Sequence, residues 1–218
     1  MEQFIPFIFI GVVVLIFILA VAANKKRQKA LLDLSETLQM KYTQNPDALF
    51  LESYTGFKLF SSGRAPKASN LMLRKLNETE TAAFDYRYTT GGGKNSSTHH
   101  QTVVSAFTRG VTLPSFIMGP EYFVHRIAQK FTGEDINFER HPGFSKMFEL
   151  KGENEIEIRR MFRDEVIRLL EDKKGLNMEA KGNRIIFYRT GKPCSPNQLE
   201  EFIRDCLEIY TLMLQGLR

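Results

Sequence analysis

The sequence predicts an α+β chain: an N-terminal transmembrane helix followed by a mostly antiparallel sheet with helices packed on it. Three observations carry this expectation. Phe4 to Ala23 reads FIPFIFIGVVVLIFILAVAA and holds no charged side chain; at about 1.5 Å of rise per residue, a helix of that length covers about 30 Å, the hydrocarbon thickness of a bilayer. Between Phe57 and Thr108, strand-like runs alternate with tight turns. Beyond that point helical spacing of apolar residues alternates with short strands and a hairpin, which suits antiparallel sheet with helices on one side.

The apolar run is asymmetric in its flanks. Glu2 and Gln3 precede it, whereas Lys25, Lys26, Arg27 and Lys29 follow closely. By the positive-inside rule the N-terminus faces outward and the body stays in the cytoplasm. A cleaved signal peptide would need a basic leading region and a shorter apolar core. Pro6 sits in the first turn, where its missing N–H is harmless. The expected partners are the bilayer itself, through Phe4 to Ala23, and anionic lipid headgroups at the four-cation flank. The net charge is +5 and the pI about 9.2; setting aside Glu2 and the four flanking cations leaves the body nearly neutral. No concentrated basic face remains for nucleic acid. Cys194 and Cys206 are the only cysteines, a usage that fits a reducing compartment without a disulfide framework.

The chain divides into an anchor over 1–24, a basic stalk helix over 25–46 and an α+β domain over 47–218. That domain is either one unit or two subdomains, 47–118 and 119–218. Leu31, Leu34, Leu38 and Tyr42 form a narrow stripe on the stalk, which Gln44-Asn45-Pro46-Asp47 terminates. Phe57 to Phe60 reads as a strand, Ser61 to Arg64 as a turn, and Leu71 to Leu76 as a second strand. Ala82 to Thr90 is the clearest strand: Phe84, Tyr86 and Tyr88 alternate with Asp85, Arg87 and Thr89. The glycine-rich stretch Gly91 to Ser97 is its hairpin tip, and His100 to Phe107 returns as partner. Gly119-Pro120-Glu121 opens a helix running to Gly133. Ile136 to Phe138 and Phe144 to Leu150 read as short strands about a turn at His141-Pro142-Gly143. Asn154 and Glu157 form a capping-box pattern for a helix reaching Leu170, with Gly175 past its end. Leu176 to Lys181 and Arg184 to Arg189 make a hairpin through Gly182-Asn183, and Ser195-Pro196 opens a last, strongly apolar helix.

Few residues offer chemistry. Gly91, Gly92, Gly93 and Lys94 could present backbone N–H groups and a cation to an anionic ligand. They lack the leading glycine, the Ser or Thr and the following helix of a nucleotide-phosphate loop. Cys194 is a candidate reactive thiol, since Lys192 and a helix N-terminus both act to lower its pKa. His99 and His100 alternate across a strand and have no acidic or cysteine partner at ligand spacing, so neither a metal nor a cofactor is expected. The aromatic stripe reads as core. Neither a nucleophile elbow nor a dinucleotide fingerprint is present.

The runs Leu59 to Arg64, Phe84 to Lys94 and Gln101 to Val104, with Pro114-Ser115-Phe116, Pro120-Glu121 and Phe144-Ser145, carry a resemblance. Together they resemble an uncharacterised bacterial family of single-pass, membrane-anchored proteins with a Phe-Asp-Tyr-x-Tyr-Thr-Thr-Gly-Gly-Gly-Lys hairpin. The resemblance implies a bacterial inner-membrane location and brings no catalytic residue. The expected function is a non-catalytic binding or scaffolding protein at the cytoplasmic face, meeting a protein partner of unknown identity. The alternative is a membrane-tethered enzyme or sensor for an anionic small ligand.

Overall fold

A computed structural model describes residues 5–122, 124 and 135–217, as backbone alone at residues 5–10 and 13. Its first element is one unbroken helix, α1, Ile5–Thr37, of 33 residues. The expected span from Phe4 to Ala23 therefore lies partly outside the described residues. Among the described residues no helix is long and apolar enough to cross a membrane. The described side chains in the first part of α1 are nonetheless apolar and bare, from 49% exposed at Val12 to 68% at Phe17. Its last part is docked: Leu31 is buried, Leu34 packs against the core, and Leu38 does so just past the helix end.

Tyr42 is not on the helical stripe where the spacing put it. The helix closes with Gln39 in the left-handed region at φ 52°, its N–H bonded to the Glu36 carbonyl at 3.1 Å and the Met40 N–H to the Ser35 carbonyl at 2.8 Å. This double closure is a Schellman cap, with Gln where Gly is usual. The chain leaves it as strand β1, Lys41–Thr43, which places Tyr42 in the sheet opposite Met72.

The remaining strands are β2 Arg64–Leu76, β3 Thr79–Thr90, β4 Ser97–Thr108, β5 Leu113–Gly119, β6 Glu149–Gly152, β7 Asn177–Gly182 and β8 Arg184–Tyr188. Among the described residues they form one eight-stranded sheet in the order β1-β2-β3-β4-β8-β7-β5-β6, with every pairing antiparallel. Strands from before and after residue 118 thus share a sheet through the β4–β8 and β5–β7 pairings. Helices α2 Pro142–Met147, α3 Glu155–Met161, α4 Asp164–Glu171 and α5 Pro196–Gln215 join α1 on one face. The opposite face is covered by 3-10 turns at Ala48–Tyr54 and Leu59–Ser61, packed on Phe84, Tyr86 and Tyr88. Burial on both faces explains why β8 reads as a continuous apolar run, with Ile185 and Phe187 in the helical layer and Ile186 and Tyr188 in the aromatic one.

Several elements differ from the sequence reading. Phe57 to Phe60 is not a strand, because the N–H groups of Lys58 and Leu59 bond to the buried Glu179 carboxylate at 2.5 and 3.0 Å instead of to a ladder. Strand β5 was hidden by Pro114, which the sheet tolerates at a register shift between Leu113 and Phe116. Phe144 to Met147 is helical: Pro142 opens α2, and Glu171 accepts the Phe144 N–H at 3.1 Å. The helix capped by Asn154, whose side chain accepts the Glu157 N–H, stops at Met161. Phe162 turns inward against Phe116, Phe138 and Phe144, so α3 and α4 are separate. Beyond helical residues at Glu121, Tyr122 and Val124, the expected helix reaching Gly133 lies outside the described residues.

Candidate functional site

Alternation along β3 sends Asp85 to the helical face, opposite the aromatic stripe. There its carboxylate accepts two hydrogen bonds from Arg27 on α1, at 3.0 and 2.7 Å, one from Asn70 at 2.9 Å and one from Thr102 at 2.9 Å. Both members of the ion pair are about four-fifths shielded, with side-chain exposures of 22% and 19%. A β2 bulge turns Asn70 to this face with φ 53°, and its side-chain oxygen accepts the Tyr42 hydroxyl at 2.8 Å. The Cys194 backbone completes the set, donating to Thr102 at 2.9 Å and accepting from Arg27 at 2.8 Å. One carboxylate thereby ties α1, β2, β4 and the lead-in to α5 together. A bidentate Arg–carboxylate pair fixes orientation as well as distance.

Two clefts flank this lock. One, of about 560 Å³, lies between α1 and the sheet, with Asn24, Arg27, Gln28, Lys67, Arg87 and His100 among its lining. The other, of about 410 Å³, includes Thr102, Lys173, Arg189, Cys194 and Asp205. Lys173 and Asp205 pair there at 2.5 Å.

The candidate residues separate in space. Gly91, Gly92, Gly93 and Lys94 form an exposed tip, and the Gly91 carbonyl is occupied by Arg64. Neither cleft includes them. Lys25, Lys26 and Lys29 are exposed on α1, whereas Arg27 turns inward to Asp85. His99 stacks on Tyr88 with ring centroids 4.9 Å apart, and His100 points into the other layer's cleft. Among the described residues no group of His, Cys, Asp and Glu could hold a metal.

The surroundings of Cys194 act against the expected lowering of its thiol pKa. Burial pushes its thiol pKa up, with Arg189 and Arg27 opposing only in part. Cys206, fully buried on α5, is raised further. We expect iodoacetamide at pH 8 to label Cys194 more slowly than a free cysteine, and Cys206 only after unfolding; labelling of Cys194 faster than the free amino acid would refute this. The residues missed by sequence reasoning were Asp85 as an anchor, Lys67 and Glu179. Alternation along β3 already set Asp85 and Arg87 apart from the rings, but their partners depend on the register of β2.

The class defined here is an α+β sheet with one helical layer and one aromatic layer, carrying a long N-terminal helix clamped by a carboxylate. A solved structure with this fold is the mycobacterial trehalose monomycolate transport factor A, TtfA, with a TM-score of 0.62 and 12% identity, covering 88% of this chain and 94% of that one. At that identity the likeness is one of fold. No protein-family description and no curated protein matches the sequence.

Proposed function

We propose that this chain is a membrane-anchored binding or scaffolding module without catalytic activity, with its α+β domain at the cytoplasmic face of a bacterial inner membrane. The observation that carries the reading is the division of α1. Its first part presents contiguous bare apolar side chains from Val14 to Leu19, exposed Lys25 and Lys26 follow, and Arg27 then locks the same helix to the sheet. A contiguous exposed apolar surface marks contact with a membrane or a partner. The uncharged run in sequence, Phe4 to Ala23, has the length for a bilayer, and cations directly after it favour retention inside. The family resemblance of the Phe84 to Lys94 hairpin supports the same reading. So does a fold shared with a transport factor, which suits an accessory role.

The test is fractionation of the full chain against a variant lacking Phe4 to Ala23, with a cytoplasm-dependent reporter at the C-terminus. The full chain is expected in the membrane fraction and resistant to carbonate, the shortened one in the soluble fraction, and the reporter active. A shortened chain that stays on the membrane would reject the single anchor. A silent but stable reporter would reject the orientation.

A further inference from the structure

The cleft beside α1 contains an uncompensated row of basic groups. Register places Lys67 opposite Arg87, and Arg87 opposite His100, so three side chains stand side by side on β2, β3 and β4. All three line the cleft and are exposed. Among the described residues none of them makes a side-chain hydrogen bond or ion pair. Lys67 and Arg87, like charges directly opposite on neighbouring strands, repel one another. The single carboxylate in the lining, Asp85, already accepts four hydrogen bonds. Among the described residues the lining thus offers these cations no free carboxylate. Around the row the lining is amide-rich, with Asn24 and Gln28 on α1 and Gln44 and Asn45 after β1. Such groups donate to ester oxygens, and both donate to and accept from hydroxyls.

We propose that this cleft binds a phosphate-type anion, with Lys67 and Arg87 on its oxygens, His100 beside them and the amides on the group that bears it. The cleft adjoins Asn24 to Gln28, directly past the last apolar residue of the Phe4 to Ala23 run. Resting on the membrane reading above, that position puts it at headgroup level, where a phosphodiester lipid is the source. The site differs from the Gly91 to Lys94 loop, which lies about 13 Å further along the strand at 3.3 Å per residue.

Calorimetric titration of the full chain in dodecyl maltoside separates the possibilities. The probes are dihexanoyl phosphatidylglycerol, dihexanoyl phosphatidylcholine (whose choline balances its phosphate) and inorganic phosphate. Saturable binding of phosphatidylglycerol over phosphatidylcholine, weakened about tenfold or more in K67Q/R87Q by loss of charge-assisted bonds and unchanged in K94Q, supports the site with a lipid source. Binding of inorganic phosphate as tight as that of phosphatidylglycerol, with the same dependence on Lys67 and Arg87, supports the site with a soluble source. Absence of saturable binding, equal binding of the two lipids, or loss in K94Q in place of K67Q/R87Q would overturn it. Both altered residues in the double variant are exposed, and circular dichroism checks that it folds. Because the measurement is made in detergent, its failure leaves the fractionation result intact, and the converse holds.

Discussion

Replacing Glu179 by alanine is expected to destabilise the domain by roughly 4 kcal/mol, since each buried donor deprived of its acceptor costs about 1–3 kcal/mol. Glu179 stands fully buried on β7 and accepts the N–H groups of Lys58 and Leu59 and the Tyr188 hydroxyl, the last at 2.7 Å. The first two bonds pin the 3-10 turn that roofs the aromatic layer. Denaturation by urea reads the effect as a fall of about 1–2 M in midpoint, and a change below about 0.5 kcal/mol, the range of ordinary surface substitutions, would refute the role. Burial raises the Glu179 pKa, while the Tyr188 hydroxyl and the two backbone N–H groups pull it back. A carboxyl raised in the folded state binds its proton more readily there than in the unfolded chain. Its favourable contribution is therefore complete below the ordinary Glu value and declines as pH rises through the folded one. Glu179→Gln removes that slope, at the expense of an amide N–H₂ facing a backbone N–H.

Asp85→Ala is the second large effect, at about 2–3 kcal/mol, somewhat under the 3–5 kcal/mol of fully buried pairs because a fifth of each side chain is exposed. The loss is local in its signature. Hydrogen exchange of the amides from Lys25 to Leu34 should accelerate, whereas β7 and β8 stay protected. A double-mutant cycle with Arg27→Ala should give a coupling of about 1–3 kcal/mol, in the range for residues in contact. A coupling near zero would mean that Leu31 and its neighbours hold α1 unaided.

What the sequence made legible was what local periodicity determines. The alternation of Phe84, Tyr86 and Tyr88 gave β3, its buried face and its hairpin partner, and the Gly182-Asn183 turn gave β7 and β8. What escaped depended on distant residues. Phe57 to Phe60 has strand-like composition, yet a carboxylate more than a hundred residues away captures its N–H groups. Pro114 masked a strand flanked on both sides, because a register shift rather than the local sequence makes room for it. Tyr42 kept helical spacing with Leu38, but the free edge of β2 claimed it. The candidate site follows the same division. Lys94 and Cys194 are conspicuous in the chain and lie apart in the fold, whereas Lys67, Arg87 and His100 are unremarkable in the chain and become neighbours only once two strand registers are known.

Helix α1 carries neither glycine nor proline from Val12 to Thr37. Kinks in helices arise chiefly at such residues, and here there is no swivel between the bare apolar end and the guanidinium clamped on Asp85. A change in tilt at the Val12 end of this stretch, about 39 Å long at 1.5 Å per residue, would arrive at the β2–β3–β4 surface as torque, so any contact that holds that end would also restrict the tumbling of the domain.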